Sequence, residues 1–474
     1  MHDKFKIFEQ PFAYMVMNYK VEEFCSYCLQ KPESKNKLQM CSGCQFARYC
    51  DKQCQRAAWL AHKPECHRLR VSYPNLPLSE VIFMGRIMDR IAFMLEKGDV
   101  HNWEKDRKFS ELMGHEEEIK NDEERMKNFE MIYEKTLKFY GGHMISKDTF
   151  FQLYCKTWIN SHCIHTSAGT EIGMALDLGV SKYDHSCRPN CTLVFNGFRA
   201  MLRPLLPSIN PEDPAVARIA YIDVGRSRYQ RRKELHAKWC FWCECERCVN
   251  PEEDRLTAMR CASGSCDQPI LITEESEPMY ISCPKCRNTV EPEQVEEAQA
   301  FMKRLPAKFN FTQDPTQVAE IKSLLLEAKR LLHPENIYHC RLLTVYLQVA
   351  PDDKQLVNKQ MHKLVYNNYR RCFPKTDRHI GYQLLHLVKS LIEDGRREEA
   401  VSYAYEAMTI FEVSFGLDHP YYLQTLALWT YLDTKADKND EQLLALMNFN
   451  YNKPVDLTKY LDPNCEQLKN LVPA

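Results

Sequence analysis

Seven cysteines and one histidine in one short stretch near the N-terminus constrain this fold more than any other sequence feature. The eight side chains are Cys25, Cys28, Cys41, Cys44, Cys50, Cys54, His62 and Cys66. They form two C-x2-C pairs, one C-x3-C pair and one H-x3-C pair, so each pair brings two ligands together on a short turn. Structural zinc is held by four cysteine or histidine side chains in a tetrahedron. Eight ligands therefore predict two closed, structural zinc sites.

The cellular compartment is constrained by the cysteine content. The chain has 474 residues, enough for about two to four domains, and 22 cysteines. Residues 1–20 lack the apolar core and cleavage site of a secretory signal, and no apolar run approaches the roughly 20 residues that cross a membrane. We therefore expect the nucleus, the cytoplasm or both, where a reducing environment favours metal-bound cysteines over disulfides. A formal net charge of -1 does not favour direct nucleic-acid binding.

A second group of residues carries the chemistry in the middle of the chain. Its parts are the run from Asp184 to Cys191 (Asp-His-Ser-Cys-Arg-Pro-Asn-Cys), the run Ala220-Tyr221-Ile222-Asp223, and the tail cysteines Cys243, Cys245 and Cys248. Taken alone, His185 or Tyr221 would be read as a packing residue. The three parts together resemble the SET domain and its zinc-binding post-SET tail.

The N-terminal cysteine array resembles the MYND finger, to which Arg48-Tyr49-Cys50 and the run from Trp59 to Cys66 also correspond. Nearly the whole chain is similar to the SET-and-MYND (SMYD) lysine methyltransferase family. The resemblance implies an α+β fold, with a β-rich SET domain interrupted by the finger and a helical insert. The expected segments are a partial first SET segment at 1–24, the MYND finger at 25–66, the helical insert at 67–144, the SET core at 145–239, the post-SET tail and a zinc ribbon at 240–290, and a helical TPR-like domain at 291–474.

The resemblance also assigns roles to residues. It implies one zinc on Cys25, Cys28, Cys50 and Cys54, one on Cys41, Cys44, His62 and Cys66, and one on Cys187, Cys243, Cys245 and Cys248. It implies that Asp184 and His185 contact S-adenosyl-L-methionine. It further implies that Tyr221 is catalytic, beside the transferring methyl group, and that Tyr221 and Trp239 line the channel for the substrate lysine.

Other features carry weaker expectations. Cys261-x4-Cys266 and Cys283-x2-Cys286 resemble a zinc ribbon with a fourth zinc, and four unpaired thiols are the alternative. Cys240 breaks the tail spacing and is expected to be structural. The basic run Arg226–Lys238 is expected to form an exposed helix. His379 and His419 recur about 40 residues apart, which favours helical repeats over an irregular bundle.

The chain departs from the family around the cofactor. No glycine precedes Gly43, so the family's Gly-x-Gly loop is not found and one wall of the cofactor pocket is expected to be missing. Asp184 replaces an asparagine and is expected to add a buried charge. The family's Gly-Glu-Glu-Leu run is replaced by residues 207–214, its channel tyrosine by Trp239, and, on a looser alignment, a cofactor-binding asparagine by Thr166.

Two functions remain open on the sequence. The first is a protein-lysine N-methyltransferase acting on a histone or a non-histone protein. The second is a catalytically inactive, zinc-dependent adaptor that binds protein partners through the finger and the helical repeats. Either would function as a monomer, and the finger is expected to bind proteins or proline-rich peptides.

Overall fold

The computed structural model describes residues 4–32, 37–309, 312–351, 353, 358–434, 439–448 and 457. It shows small antiparallel sheets in the first part of the chain, together with a group of helices, and a larger set of helices in the last part. Cys465 and most of the chain after residue 448 lie outside the described residues. The expected mixture of helices and small β-sheets is confirmed.

The strands are short and pair over large sequence separations. They are β1 Lys6–Phe8, β2 Ala13–Val16, β3 Gln39–Met40, β4 Arg48–Tyr49, β5 His162–His165, β6 Glu171–Leu176, β7 Cys191–Asn196, β8 Arg199–Pro204, β9 Ile281–Ser282 and β10 Thr289–Val290. The two three-stranded sheets have the orders β1-β8-β7 and β2-β6-β5. Each therefore joins one N-terminal strand to a hairpin from the middle of the chain, and the finger is inserted between the strands of this core.

Helices make up most of the remaining structure. They are α1 Lys52–Ser72, α2 Ser79–Lys97, α3 Glu116–Lys120, α4 Glu123–Phe139, α5 Lys147–Asn160, α6 Arg228–Trp239, α7 Glu246–Val249, α8 Pro292–Arg304, α9 Pro315–Leu331, α10 Ile337–Val349, α11 Lys359–Cys372, α12 Arg378–Glu393, α13 Arg397–Phe415, α14 Pro420–Asp433 and α15 Asp440–Leu446. Within the described parts of the chain, none of them combines the length and the apolar character that crossing a membrane requires.

Local sequence explains where the finger's helix begins. The Asp51 carboxylate accepts hydrogen bonds from the backbone N–H groups of Gln53 and Cys54, both at 2.8 Å. Such a cap satisfies donors that have no partner inside the helix. It fixes the first turn of α1 and so the position of the Cys54 thiol. The helix then runs through Pro64 to Ser72, beyond the last finger ligand.

The C-terminal helices follow one another in packed pairs. Gly395 has a φ of +71° at the joint between α12 and α13, a backbone conformation that glycine adopts without a steric penalty. Asp377 and His419 cap the N-termini of α12 and α14, so the two turns flanking this pair are alike. Helices α11 to α14 pack consecutively around a shared apolar core.

The same helices lie against the sheet β1-β8-β7. The Arg378 side chain on α12 donates to the carbonyl oxygen of Leu193 at 2.8 Å, and the Thr376 hydroxyl donates to that of Leu205 at 2.6 Å. The Arg203 Nε on β8 donates to the carbonyl oxygen of Val413 at 3.1 Å. Because the motif around His185 directly precedes β7, these bonds fix the helices relative to the candidate site.

Candidate active site and zinc centres

The first finger site gathers four thiols from three separate turns. The Sγ atoms of Cys25, Cys28, Cys50 and Cys54 all lie within 4.8 Å of one another, and Cys28 and Cys50 are 3.7 Å apart. Cys50 directly follows strand β4, and Cys54 lies in the first turn of α1. Thiolates at these separations can share one tetrahedral zinc ion.

The second finger site contains the histidine. Its members are Cys41, Cys44, His62 and Cys66, whose ligand atoms also lie within 4.8 Å of one another. The His62 Nε2 is 3.7 Å from the Cys44 Sγ, and its Nδ1 is 3.0 Å from a Glu65 carboxylate oxygen. A carboxylate on Nδ1 leaves Nε2 to face the metal and makes the imidazole a stronger ligand.

Glu65 also ties the finger to the core. It is almost fully buried on α1, and Arg86 on α2 holds both of its oxygens, at 2.8 and 2.7 Å. Burial alone would raise the pKa of Glu65, but Arg86 and His62 lower it to about 2. The ionised carboxylate therefore positions the zinc-ligating imidazole and fastens α1 to α2.

The third group joins the central motif to the tail. The Sγ atoms of Cys187, Cys243, Cys245 and Cys248 lie within 4.8 Å of one another, with Cys187 at 3.5 Å from Cys248 and 3.9 Å from Cys243. Cys240 lies outside this group, and its Sγ accepts a hydrogen bond from Arg125. The tail after α6 is thus folded back onto the motif that contains His185.

Backbone pairing brings His185 and Tyr221 together. The Ile219 N–H donates to the Asp184 carbonyl oxygen at 3.1 Å, and the Ser186 N–H donates to that of Ile219 at 3.0 Å. This short parallel bridge places the Tyr221 N–H 3.1 Å from the His185 Nδ1, to which it donates. The backbone N–H fixes Nδ1 as the acceptor of the imidazole.

The side chains of this region form an aromatic cluster. The ring centroids of Tyr221 and Trp239 are 5.1 Å apart, and those of His185 and Tyr221 are 5.4 Å apart. The Tyr221 hydroxyl donates to the Tyr183 carbonyl oxygen at 2.6 Å. The structure therefore brings His185, Tyr221 and Trp239 to one place, directly beside the four-thiol tail.

Burial keeps the cluster uncharged. It lowers the pKa of His185 to about 4 and raises the pKa of the Tyr221 phenol well above its ordinary value, with Asp184 adding to the second effect. Both groups are neutral near pH 7. The cluster can orient a substrate and surround a positive charge with ring faces, and it contains no activated nucleophile.

Two expectations about charged residues are corrected, and the position of Thr166 is also defined. Asp184 is exposed, so the expected buried charge is wrong. Arg226 and Arg231 are buried, so the basic run is exposed only in part. They are buried because Arg226 pairs with Glu234, while Arg231 reaches a carboxylate beyond the tail. Thr166 lies in the turn between β5 and β6, where its hydroxyl accepts a backbone hydrogen bond within that turn.

Other residues of the site were not singled out by the sequence. The Phe241 ring lies 6.3 Å from that of His185. The Arg107 side chain donates to the Ser181 carbonyl oxygen at 2.8 Å, just before the motif. Tyr183 supplies the acceptor for Tyr221, and its own hydroxyl donates to the Pro211 carbonyl oxygen within residues 207–214. Phe241 could have been found from its place between Trp239 and the tail cysteines, whereas the other contacts depend on the fold.

A fourth ligand group, made of four thiols, lies outside this region. The Sγ atoms of Cys261, Cys266, Cys283 and Cys286 lie within 4.8 Å of one another. Cys261 is 3.4 Å from Cys286, and Cys266 is 3.8 Å from Cys283. Zinc binding by this chain thus has support from four separate sets of clustered ligands.

Comparisons with known proteins agree with this picture. Residues 25–66 match the family model of the MYND finger. Histone-lysine N-methyltransferase SMYD3 of Homo sapiens is 31% identical over 248 residues, which cover 52% of this chain and 56% of that protein. SMYD3 of Mus musculus is 25% identical over 416 residues, 86% of this chain and 87% of the relative. Histone-lysine N-methyltransferase ASHR1 of Arabidopsis thaliana is 25% identical over 434 residues, 87% of each. The human match spans about half the length of that relative.

Proposed function

This chain is a member of the SET-and-MYND family, and from that premise we propose that it transfers a methyl group from S-adenosyl-L-methionine to a lysine of a protein substrate. One observation carries the proposal, namely that His185, Tyr221 and Trp239 lie together against the four-thiol tail. The relatives named as lysine methyltransferases support the reaction class. The substrate is a histone or another protein of the nucleus or cytoplasm.

We assign the parts of the fold accordingly. The two three-stranded sheets form a SET core, into which the finger and helices α2 to α5 are inserted. The tail after α6 is the post-SET region, and the helices from α8 onward form a TPR-like domain. The contacts of Arg378 and Arg203 described above support the packing of that domain on the core, and we assign the substrate cleft to the boundary between them.

The residues around the cluster are chemically suited to the cofactor. When bound, S-adenosyl-L-methionine supplies the methyl group from a positively charged sulfonium. Asp184 presents an exposed carboxylate that can accept hydrogen bonds from the cofactor's ammonium group. The rings of Tyr221 and Phe241, both close to His185, provide faces that accommodate a positive charge. We assign Asp184 and His185 to cofactor binding.

Tyr221 is the proposed catalytic residue. Its hydroxyl is anchored on the Tyr183 carbonyl oxygen and its ring is packed on Trp239, so it has little freedom to rotate. Tyr221 and Trp239 together form one wall of the channel that presents the uncharged lysine amine. Holding two reactants in line accounts for much of the rate increase in a transfer reaction without a covalent enzyme intermediate.

Zinc is assigned a structural role in this reaction. Two ions belong to the finger and one to Cys187, Cys243, Cys245 and Cys248, because all three sets are closed by four protein ligands. The tail ion connects the His185 motif to the segment that follows Trp239. Its removal is therefore expected to separate Trp239 from Tyr221.

The test is calorimetric binding of S-adenosyl-L-methionine to the zinc-loaded protein, followed by transfer of labelled methyl to candidate substrate proteins. Tyr221→Phe should retain cofactor binding and lower turnover at least about tenfold, because the hydroxyl anchor is lost. Tyr229→Phe on α6 is the matched control, since Tyr229 lies outside the aromatic cluster, and it should behave as wild type. Absence of binding heat at millimolar cofactor, or equal turnover of the two variants, would contradict the proposal.

One observation favours a role in partner binding as well. The side chains of Trp59 and Leu60 are exposed on α1 of the finger and give it an apolar surface. MYND fingers bind proteins, and a proline-rich peptide suits such a surface. The same calorimetry separates the two functions, because an adaptor alone would bind the peptide and not the cofactor.

A further inference from the structure

The four thiols of Cys261, Cys266, Cys283 and Cys286 are not used by the proposed reaction. They occupy the segment between the post-SET tail and helix α8. A zinc ion with four Zn–S bonds of about 2.3 Å holds its sulfur atoms about 3.8 Å apart in a tetrahedron. The observed separations of 3.4 Å and 3.8 Å across the two pairs are close to that value.

Both cysteine pairs are carried on tight turns that face each other. Arg287 has a φ of +64°, its N–H donates to the Cys283 carbonyl oxygen at 3.0 Å, and the Cys283 N–H donates to that of Asn288 at 2.9 Å. The hairpin of β9 and β10 continues from this turn. On the other side, the Cys266 N–H donates to the Ser263 carbonyl oxygen at 3.1 Å. Two such turns converging on one point are the arrangement of a zinc ribbon.

The surroundings of the ribbon bury only part of its apolar side chains. Between Cys261 and Cys286 the sequence contains ten serine, glutamate and proline residues and six large apolar side chains. Leu271, Met279 and Tyr280 are exposed, so part of the apolar surface that is present is not buried. Ile270 and Ile272 are buried in the core shared with the C-terminal helices, but this is a small amount of burial, and small domains of this type are commonly stabilised by a structural metal.

We propose that these four cysteines bind a fourth zinc ion, and that this zinc ribbon is the joint that holds the C-terminal helices onto the rest of the chain. Four protein ligands close the site, so the ion is structural. The proposal does not depend on methyltransferase activity.

The ribbon contacts the helices first through its backbone. The Arg260 N–H donates to the Leu331 carbonyl oxygen at 3.0 Å, and the His333 N–H donates to that of Ala258 at 3.1 Å. The His333 imidazole also lies 3.0 Å from the Asp267 carbonyl oxygen, next to the ligand Cys266. These bonds attach the ribbon to the connection between α9 and α10.

Side chains complete the joint. The Gln299 amide on α8 donates to the carbonyl oxygens of Thr273 and Ser276, at 2.8 and 2.7 Å. The Tyr338 hydroxyl on α10 donates to the buried Glu274 carboxylate at 2.6 Å. The loop between the two cysteine pairs is therefore bonded to α8 and α10, and zinc fixes both ends of that loop.

Metal content tests the proposal directly. The purified chain should contain about four zinc ions, and the double variant Cys283→Ser/Cys286→Ser about three. Cys240→Ser is the matched control, because it removes a thiol outside the four-thiol groups and should retain about four ions. A wild-type content of three, or an unchanged content in the double variant, would overturn the proposal.

A measurement on the wild type alone keeps the proposal testable if the double variant does not fold. With zinc present, the four ribbon thiols should resist alkylation, and a chelator should make all four reactive. Ready alkylation before chelation would indicate free thiols. If the cysteines still resist alkylation after chelation and react only once a reductant is added, they form disulfides. A disulfide requires a sulfur separation of about 2.05 Å. Either result would overturn it.

Hydrogen exchange tests the role as a joint. Removing the ribbon zinc should speed exchange of the amides of Arg260 and His333 at least tenfold, because their acceptors lie across the joint. The amides of α12 and α13 should exchange at an unchanged rate. Equal exchange of Arg260 and His333 with and without the ribbon zinc would show that the ribbon does not hold the helices.

Discussion

Arg247 offers the sharpest test of how the tail is held in place. Its guanidinium is 3% exposed and makes three hydrogen bonds to the Glu253 carboxylate, at 2.6 to 2.9 Å. Its Nη1 donates to the carbonyl oxygens of Cys187 at 3.2 Å, Val224 at 2.7 Å and Cys372 at 2.9 Å. One side chain thus connects the motif that contains Cys187, the segment after Tyr221 and the end of α11.

The loss of stability in each variant depends on which buried charges the substitution leaves unpaired. Glu253 also accepts from Arg231, which is 0% exposed. Removing one partner of a buried ion pair costs about 3–5 kcal/mol. Arg247→Met leaves Glu253 with Arg231 and should cost about 3 kcal/mol, at the low end of that range. Glu253→Gln leaves two buried guanidinium groups without a carboxylate and should cost about 5 kcal/mol.

The losses of stability can be measured locally from the hydrogen-exchange rates of the Phe373 and Cys248 amides. A local measurement suits a multidomain chain better than a single unfolding midpoint, because such a chain need not unfold in one step. A cost of about 3 kcal/mol corresponds to exchange about 150-fold faster. Arg255→Met is the control, because it removes a half-exposed pair with Glu335 and should cost less than about 1 kcal/mol. The reasoning is refuted if Arg247→Met is more damaging than Glu253→Gln, or if neither exceeds the control.

Two further predictions concern His419 and the contact between finger and core. Burial first, then Arg378, lowers the pKa of His419 to about 3 from 6.5, so the folded state binds fewer protons and stability should fall as the pH drops below 6.5. Asn at position 419 preserves the helix cap but does not titrate. Between pH 7.5 and pH 5.5, His419→Asn should therefore lose about 1 kcal/mol less unfolding free energy than the wild type, as measured by thermal unfolding. The same pH dependence in both proteins would contradict this prediction. Gly197 has a φ of +61°, and an added Cβ would meet the Cys28 carbonyl oxygen at 2.1 Å, so Gly197→Ala should cost about 2 kcal/mol or more. Gly169→Ala has a similar φ but nothing within 4 Å of the added Cβ, so denaturant unfolding should show it to be clearly milder.

Sequence reasoning succeeded where covalent spacing determines geometry. The short spacing of a C-x2-C pair holds both thiols on one turn, so the finger could be recognised from the spacing alone. The matching family model covers the same residues. Tyr221 lies far from His185 in sequence, and spacing does not bring the two together. Their meeting was expected from the family resemblance, and in the structure it depends on the backbone bridge through Ile219.

Charged residues were harder to place. The spacing of Cys243, Cys245 and Cys248 predicts a zinc-binding tail but not the burial of Arg247. Arg247 is buried because three carbonyl oxygens from distant segments meet there. The many charges of α6 suggest an exposed helix, although Arg231 lies on its buried face. Asp184 shows the opposite error, since its position in the motif suggested burial and it is exposed. A sequence pattern indicates the average environment of a charged side chain, but it does not locate the partner that determines whether that side chain is buried.

The position of the aromatic cluster therefore depends on parts of the chain that take no part in the proposed reaction. The Cys187 thiol belongs to the four-thiol group of the tail, and its carbonyl oxygen accepts a hydrogen bond from Arg247. The same guanidinium binds the Cys372 carbonyl oxygen at the end of α11. His185, only two residues before Cys187, is thus linked to the C-terminal helices through one buried side chain. Loosening those helices should displace His185 relative to Tyr221, because the Arg247 hydrogen bonds cannot be satisfied by one segment alone.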